Sequence, residues 1–237
     1  MRSKAASRAV VVLVSAALVL AGCQQDGGTT TPSESGSASP SGSAAPARPT
    51  AQDLIVPRTR DAAAEITGTV PLDGLATGVV IDPIVGEVFV TTCRGCGGGA
   101  GAGTDLVAAI DTASRRVTDE IDLTGELPGL YPQVVADPYA GVLYAARTGP
   151  GAELISVIDS STHETTGVLE LDGTTLWRLV VDPTTGLLYV LEEGQSDEGR
   201  ARLAVLDPES GEVLDRIALD TAFPGSVAVD PVRGRAF

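Results

Sequence analysis

Leu179-Val180-Val181-Asp182-Pro183-Thr184-Thr185-Gly186-Leu187-Leu188-Tyr189-Val190 reads as two short apolar runs joined by a five-residue turn. Pro presets φ at the turn, the Asp carboxylate can accept hydrogen bonds from the backbone just after it, and Gly supplies the positive φ that sends the chain back. Aliphatic and β-branched runs of this length, bounded by Asp, Pro and Gly, are strands rather than helices. The same Asp-Pro-x-x-Gly phrase stands at Asp82-Pro83…Gly86, Asp137-Pro138…Gly141 and Asp230-Pro231…Gly234. These carboxylates are explained by turn chemistry. At one to a unit, they would also stand too far apart to form a catalytic or metal-binding pair.

The four aspartates are spaced 55, 45 and 48 residues apart. Between the turns a second phrase recurs, an apolar run ending in Asp: Val107 to Asp111, Ser156 to Asp159 and Ala204 to Asp207, with both Asp spacings 48. Two interleaved phrases of one period mean one repeated unit. Within the second copy four strands are expected, near Gln133 to Ala136, Val142 to Ala146, Glu153 to Ile158 and Thr166 to Leu171. Units of four short strands at this period are the blades of a β-propeller, and the fold class is all-β. Phe89, Tyr144, Tyr189 and Phe237 all fall three residues after the repeat Gly, as expected of an aromatic packed between neighbouring blades. Ala64 to Leu72 matches a fourth strand with no first three before it, and in propellers such an orphan often completes the last blade. Phe237 stops in the middle of a second strand. About three complete blades and part of a fourth are expected, where closure needs about four to eight, so the chain is read as an N-terminal fragment of a larger propeller.

The 237 residues carry a formal charge of −15, which becomes −18 if Arg2, Lys4 and Arg8 are removed with a leader. This acidity argues against a nucleic-acid partner and against a polybasic membrane patch, and fits a solvated surface. The leader itself reads as an export signal, with a basic start and an apolar stretch from Ala9 to Leu20. That stretch is shorter than the about 20 residues a membrane-spanning helix needs. From Gln24 to about Gln52 the chain is Ser, Thr, Gly, Pro and Ala, a composition that cannot offset the entropy of ordering. As a coil it reaches roughly 30 Å, a tether. The expected division is a signal peptide over 1–22, a lipidated Cys with its tether over 23–52, and propeller repeats over 53–237.

Two resemblances follow from these residues. Leu20-Ala21-Gly22-Cys23 resembles the lipobox of bacterial lipoproteins at every position. That likeness implies cleavage before Cys23 and a diacylglyceryl group on its thiol. The protein would then be a lipid-anchored one (two acyl chains suffice for stable anchoring) on the extracytoplasmic face of the cell membrane. The strand, Asp-Pro-x-x-Gly, Leu187-Leu188-Tyr189-Val190 pattern resembles the YVTN-type repeat of surface-layer and related bacterial propellers, from about Ala63 onward. It implies a fold, and the fold alone does not imply a function.

Strand parity divides the loops into two sets. The turns joining first to second and third to fourth strands lie on one face and are short and uniform. The loops on the other face vary: Thr92 to Thr104 is Gly-rich with two Cys, Arg147 to Ala152 is short, and Glu192 to Arg202 is acidic. Variable loops on a constant scaffold are the usual seat of binding, so an unknown protein or small-molecule ligand is expected there.

The remaining chemical candidates are few. Cys93 and Cys96, in an exported protein, read as a local disulfide stiffening the loop, with free thiols, redox chemistry or a metal site as alternatives. Gly97 to Gly103 lacks the Lys and Ser/Thr of a phosphate loop. His163, the single histidine, reads as a surface turn residue, and Trp177 as core or blade-edge packing. The acidic residues from Glu192 to Glu198 read as solvated, without the spacing of a Ca²⁺ loop. With no catalytic set, no cofactor and no metal ligands in view, the expected function is a lipid-anchored binding or interaction module. The alternatives are a lactonase- or lyase-like propeller enzyme with a metal or His site in blades beyond Phe237, and a structural protein of the cell envelope.

Overall fold

The computed structural model describes the backbone of residues 8–14, and residues 46–53, 66–94, 104–123, 132–147, 153–171, 175–193, 200–221 and 225–237. Cys23, Cys96, most of the tether and the tips of the variable loops lie outside these described residues. Three four-stranded sheets follow one another along the chain. The first contains β3 (Leu75–Asp82), β4 (Glu87–Arg94), β5 (Thr104–Asp111) and β6 (Arg116–Asp122). The second contains β7 (Gln133–Asp137), β8 (Val142–Arg147), β9 (Glu153–Asp159) and β10 (Thr165–Leu171). The third contains β11 (Thr175–Val181), β12 (Leu188–Glu193), β13 (Arg202–Asp207) and β14 (Glu212–Ala218). Each is an antiparallel meander, with strands paired in sequence order. A two-stranded piece, β15 (Val229–Asp230) with β16 (Arg235–Ala236), begins a fourth. The strands of the second sheet match the sequence expectation to within a residue or so, and the chain is an all-β array of propeller blades. Among the described residues the row of sheets does not close on itself.

The repetition extends to irregularities. A bulge interrupts the last pairing of every complete sheet, leaving Thr118, Thr166 and Leu214 as the extra residues. A second bulge, at Thr77 and at Trp177, interrupts the β3–β4 and β11–β12 pairings. Each bulge adds twist and re-aims one side chain.

Alternation along the second strand of each sheet builds the interior. Val88 and Val90 join Val70, Leu72, Ala108 and Ile110 on one side of the first sheet. Phe89, between them, points the other way into a cluster with Leu143, Ala145 and Ile158 of the second sheet. Tyr144 repeats the role against Leu188, Val190 and Leu206 of the third. The repeat aromatics therefore pack between successive blades at Phe89 and Tyr144. Tyr189 is half-buried and Phe237 is 71% exposed, since no complete sheet among the described residues covers them.

The expected orphan strand is present as β2 (Ile66–Asp73), and its neighbour is unexpected. It pairs antiparallel with β1 (Arg8–Val14), the first part of the apolar run read as the leader core. This pairing belongs to the uncleaved chain. A chain cut before Cys23 would lack β1 and leave one edge of β2 open.

Candidate functional site

On the turn face each Asp of the Asp-Pro-x-x-Gly phrase caps backbone amides two or three residues on, and its carbonyl accepts from Gly86 and Gly186 in the first and third copies but from Ala140 and Arg233 in the second and fourth. Asp82 Oδ1 accepts from Ile84 N at 2.9 Å, Asp137 Oδ1 from Tyr139 N at 3.2 Å, and Asp182 Oδ1 from Thr184 N at 2.8 Å. Gly86, Gly141, Gly186 and Gly234 have φ of 77, 68, 77 and 59°. The first three carboxylates lie deeper than their turn positions suggest, with residue exposures of 0, 1 and 4% for Asp82, Asp137 and Asp182.

The third-to-fourth turns use the same device without a Gly in every copy. Arg115, His163 and Gly211 donate their amide N–H to Asp111, Asp159 and Asp207 carbonyls at 2.8, 2.9 and 2.9 Å. All three have positive φ, at 58, 63 and 73°. Hydroxyl hydrogen bonds from Ser114, Ser161 and Ser210, reinforced by turn amides, hold the Asp111, Asp159 and Asp207 carboxyls below the usual carboxylate range.

His163 departs from the expectation of a surface residue. Its side chain is only 13% exposed, with Nε2 2.7 Å from Glu87 Oε2 and Nδ1 3.2 Å from Asp119 Oδ2. Its ring meets Phe89 edge-on, with centroids 5.8 Å apart. The second sheet is thus clipped to the first by a residue projecting from a turn. No Ser-His-Asp arrangement results, because both partners are carboxylates.

The loop face is tied down where its loops leave the sheets. Arg94 reaches Asp73 at 3.2 Å and Glu120 at 2.7 Å. Glu192, expected to be solvated, is fully buried, with Arg216 Nε 3.4 Å from Oε1. Its Oε2 is buried and has no hydrogen-bond partner among the described residues. Innermost strands are stitched together near the same face. Thr77 and Thr91 hydroxyls donate to Pro132 O at 2.7 and 3.0 Å, and Gln133 Nε2 donates to Trp177 O at 2.8 Å. Trp177 is therefore held by its backbone. Its side chain, a bulge residue at the loop-face end of β11, is 40% exposed rather than core, an exposed aromatic that periodicity could not reveal because the bulge breaks the alternation.

Cys93 is buried and disulfide-bonded, with its partner outside the described residues. Among the described residues no group of three or more His, Cys, Asp or Glu is placed to hold a metal ion. No helix among them is long and apolar enough to cross a membrane.

No protein-family model matches the chain, and no curated protein matches it in sequence. Solved structures are similar in fold. Kuenenia stuttgartiensis hydrazine synthase superposes with a TM-score of 0.50 at 18% identity, over 65% of this chain and 40% of that one. The WD40 domain of Toxoplasma gondii coronin gives 0.49 at 14% identity, over 67% of this chain and 38% of that one. A chain of the nidogen/laminin complex gives 0.47 at 14% identity, over 72% and 60%. This chain thus spans 38 to 60% of the length of these three. At these identities the likeness concerns the fold alone.

Proposed function

We propose that the protein is a lipoprotein, anchored through Cys23 on the extracytoplasmic face of the cell membrane, whose propeller binds a partner through its loop face. The observation that carries the binding reading is the contrast between faces. Turns on one face share a length, a positive-φ closing residue and an Asp carboxylate that caps the amides two or three residues on, whereas the opposite face presents loops that differ in length, charge and glycine content. The exposed Trp177 at the rim of that face supports it, since a half-exposed aromatic on a rigid strand is a ready contact surface. Cys93 paired with Cys96 would shorten and stiffen the longest of these loops. The lipobox and the polar tether support the anchor, and the resemblance to surface-layer repeats is compatible with a place in the envelope.

The test has two arms. Intact mass and membrane partition, with and without an inhibitor of lipoprotein signal peptidase, check the anchor, and a soluble, unlipidated mature protein would overturn it. Cross-linking in living cells checks the face. A cross-linked species lost on Trp177→Ala or on replacement of residues 95–103 by a short Gly-Ser link, and kept on Ser161→Ala in a turn, is expected. A species lost only on turn-face substitution would overturn the binding reading.

A further inference from the structure

We propose that the crevice between the second and third sheets is a binding site for an arginine side chain. Its own occupant is Arg48, which straps the end of the tether to the turn face of the propeller. Arg48 donates from Nη1 to Asp137 Oδ1 at 2.9 Å and from Nη2 to Asp137 Oδ2 at 2.6 Å, across 89 residues of sequence. The receiving side chain is wholly buried, whereas that of Arg48 is 28% exposed. This is the bidentate fork-to-carboxylate geometry that a guanidinium makes and an ammonium cannot. The sister carboxylate Asp82 gives the contrast, because its Oδ2 is buried with no hydrogen-bond partner among the described residues. Leaving such an oxygen unpaired costs stability, so the Arg48 contact relieves Asp137 of a desolvation penalty that Asp82 retains.

Two glycines set this crevice apart, one by leaving room for Arg48 and the other by sending no side chain into it. A side chain at Gly186 would collide with the Arg48 guanidinium, while one at Gly141, the same position in the preceding sheet, would meet no described atom within 4 Å. Gly211 is the second. Arg115, at its position in the first sheet, reaches back to Gly68 of β2, and His163, at its position in the second, reaches back to Glu87 and Phe89 of the first. Gly211 has no side chain to send back, and the cation in this crevice comes from the tether instead. Arg48 raises its own proton affinity through the Asp137 hydrogen bonds, and its charge acts on Tyr144, the aromatic that lines the same crevice.

The strap fixes a direction. Asp137, Gly186 and Gly211 all lie on the turn face, so the tether leaves the propeller there and a chain held by lipid at Cys23 presents its loop face away from the bilayer. That consequence rests on the anchor and the binding face proposed above, while the arginine site itself does not.

Limited proteolysis of the full-length protein with proteinase K, read by mass spectrometry, tests it. A protease-resistant core that retains residues 46–53 is expected for the wild type, and loss of those residues for Arg48→Ala. Arg48→Lys should lose them as well, since an ammonium cannot make both bonds. A synthetic peptide spanning residues 44–53, added to Arg48→Ala, should bind, and the same peptide with Ala in place of its arginine should not. Identical cores in the wild type and Arg48→Ala, or peptide binding indifferent to the arginine, would overturn the strap. Either result stands whatever the cross-linking experiment says of the loop face, so failure of one reading is separable from failure of the other.

Discussion

His163 stands in the second sheet where Gly211 stands in the third: both close their turns with the same backbone hydrogen bond, at φ of 63 and 73°, and only the histidine reaches the sheet before it. The repeat thus keeps a backbone conformation while changing what fills the crevice. His163→Ala should destabilise the protein by about 1–3 kcal/mol in urea unfolding, through the lost contacts to the half-buried Glu87 and to Phe89. His163→Gly should be less costly than His163→Ala, because it loses the same contacts and removes the roughly 1 kcal/mol penalty of a side chain at positive φ. Equal stability of both variants to the wild type would show that the clip contributes nothing.

Phe89 is fully buried between the first and second sheets. Phe89→Ala should cost about 3–5 kcal/mol by opening a cavity there. Phe237→Ala, at a residue that is 71% exposed in the same repeat register, should change stability by less than about 0.5 kcal/mol. Thermal or urea denaturation of the two variants side by side checks the pair.

Gly141 and Gly186 share a turn conformation and differ in their surroundings. Gly141→Ala should cost only the backbone strain of positive φ, about 1–2 kcal/mol. Gly186→Ala should cost more, because the new methyl would occupy the place of the Arg48 guanidinium. In an Arg48→Ala background that extra cost should disappear, and a double-mutant cycle reads the difference directly.

Burial first, then the Asp137 charge, pushes the Tyr144 phenol up to about 12. Its folded pKa lies above the unfolded value of about 10, so the stability linked to it is fully present below about pH 10 and lost as pH rises through the folded value. Burial raises Tyr189 as well; ultraviolet titration should show Tyr144 ionising last, and Tyr144→Phe should remove that last step. If all tyrosines titrate together near the ordinary value, the crevice is wetter than the structure indicates.

At the acid end the sign reverses. Asp159, Asp207 and Asp230 have folded pKa values held down, chiefly by Ser161, Ser210 and Arg233 respectively. Their contribution is present above the unfolded carboxylate value of about 3.9 and is lost as pH falls through the lower folded values. The urea midpoint should fall as pH is lowered below about 4, and Ser161→Ala with Ser210→Ala should flatten that fall.

The strands and the turn positions were legible in the sequence. Asp-Pro-x-x-Gly and the aliphatic runs carry local chemistry, in which φ restriction, positive φ and the period-two alternation act within a few residues of each other. Phe89 and Tyr144 could be placed between blades because four aromatics share one register. Trp177 and Glu192 could not be placed, because a bulge re-aims Trp177 and Arg216 of β14 reaches the buried Glu192, and neither event leaves a mark in composition or period. The pairing of β2 with β1 was likewise invisible, since any apolar strand can satisfy an open edge.

The blade, its repeat and the division between a uniform turn face and a variable loop face are thus written in the chain, because they follow from interactions between near neighbours. That Arg48 lies on Asp137 and that His163 crosses to Glu87 emerges only from how the sheets pack. Those contacts join residues 89 and 76 positions apart, and they form only after stacking of the sheets has buried the carboxylates that need a partner.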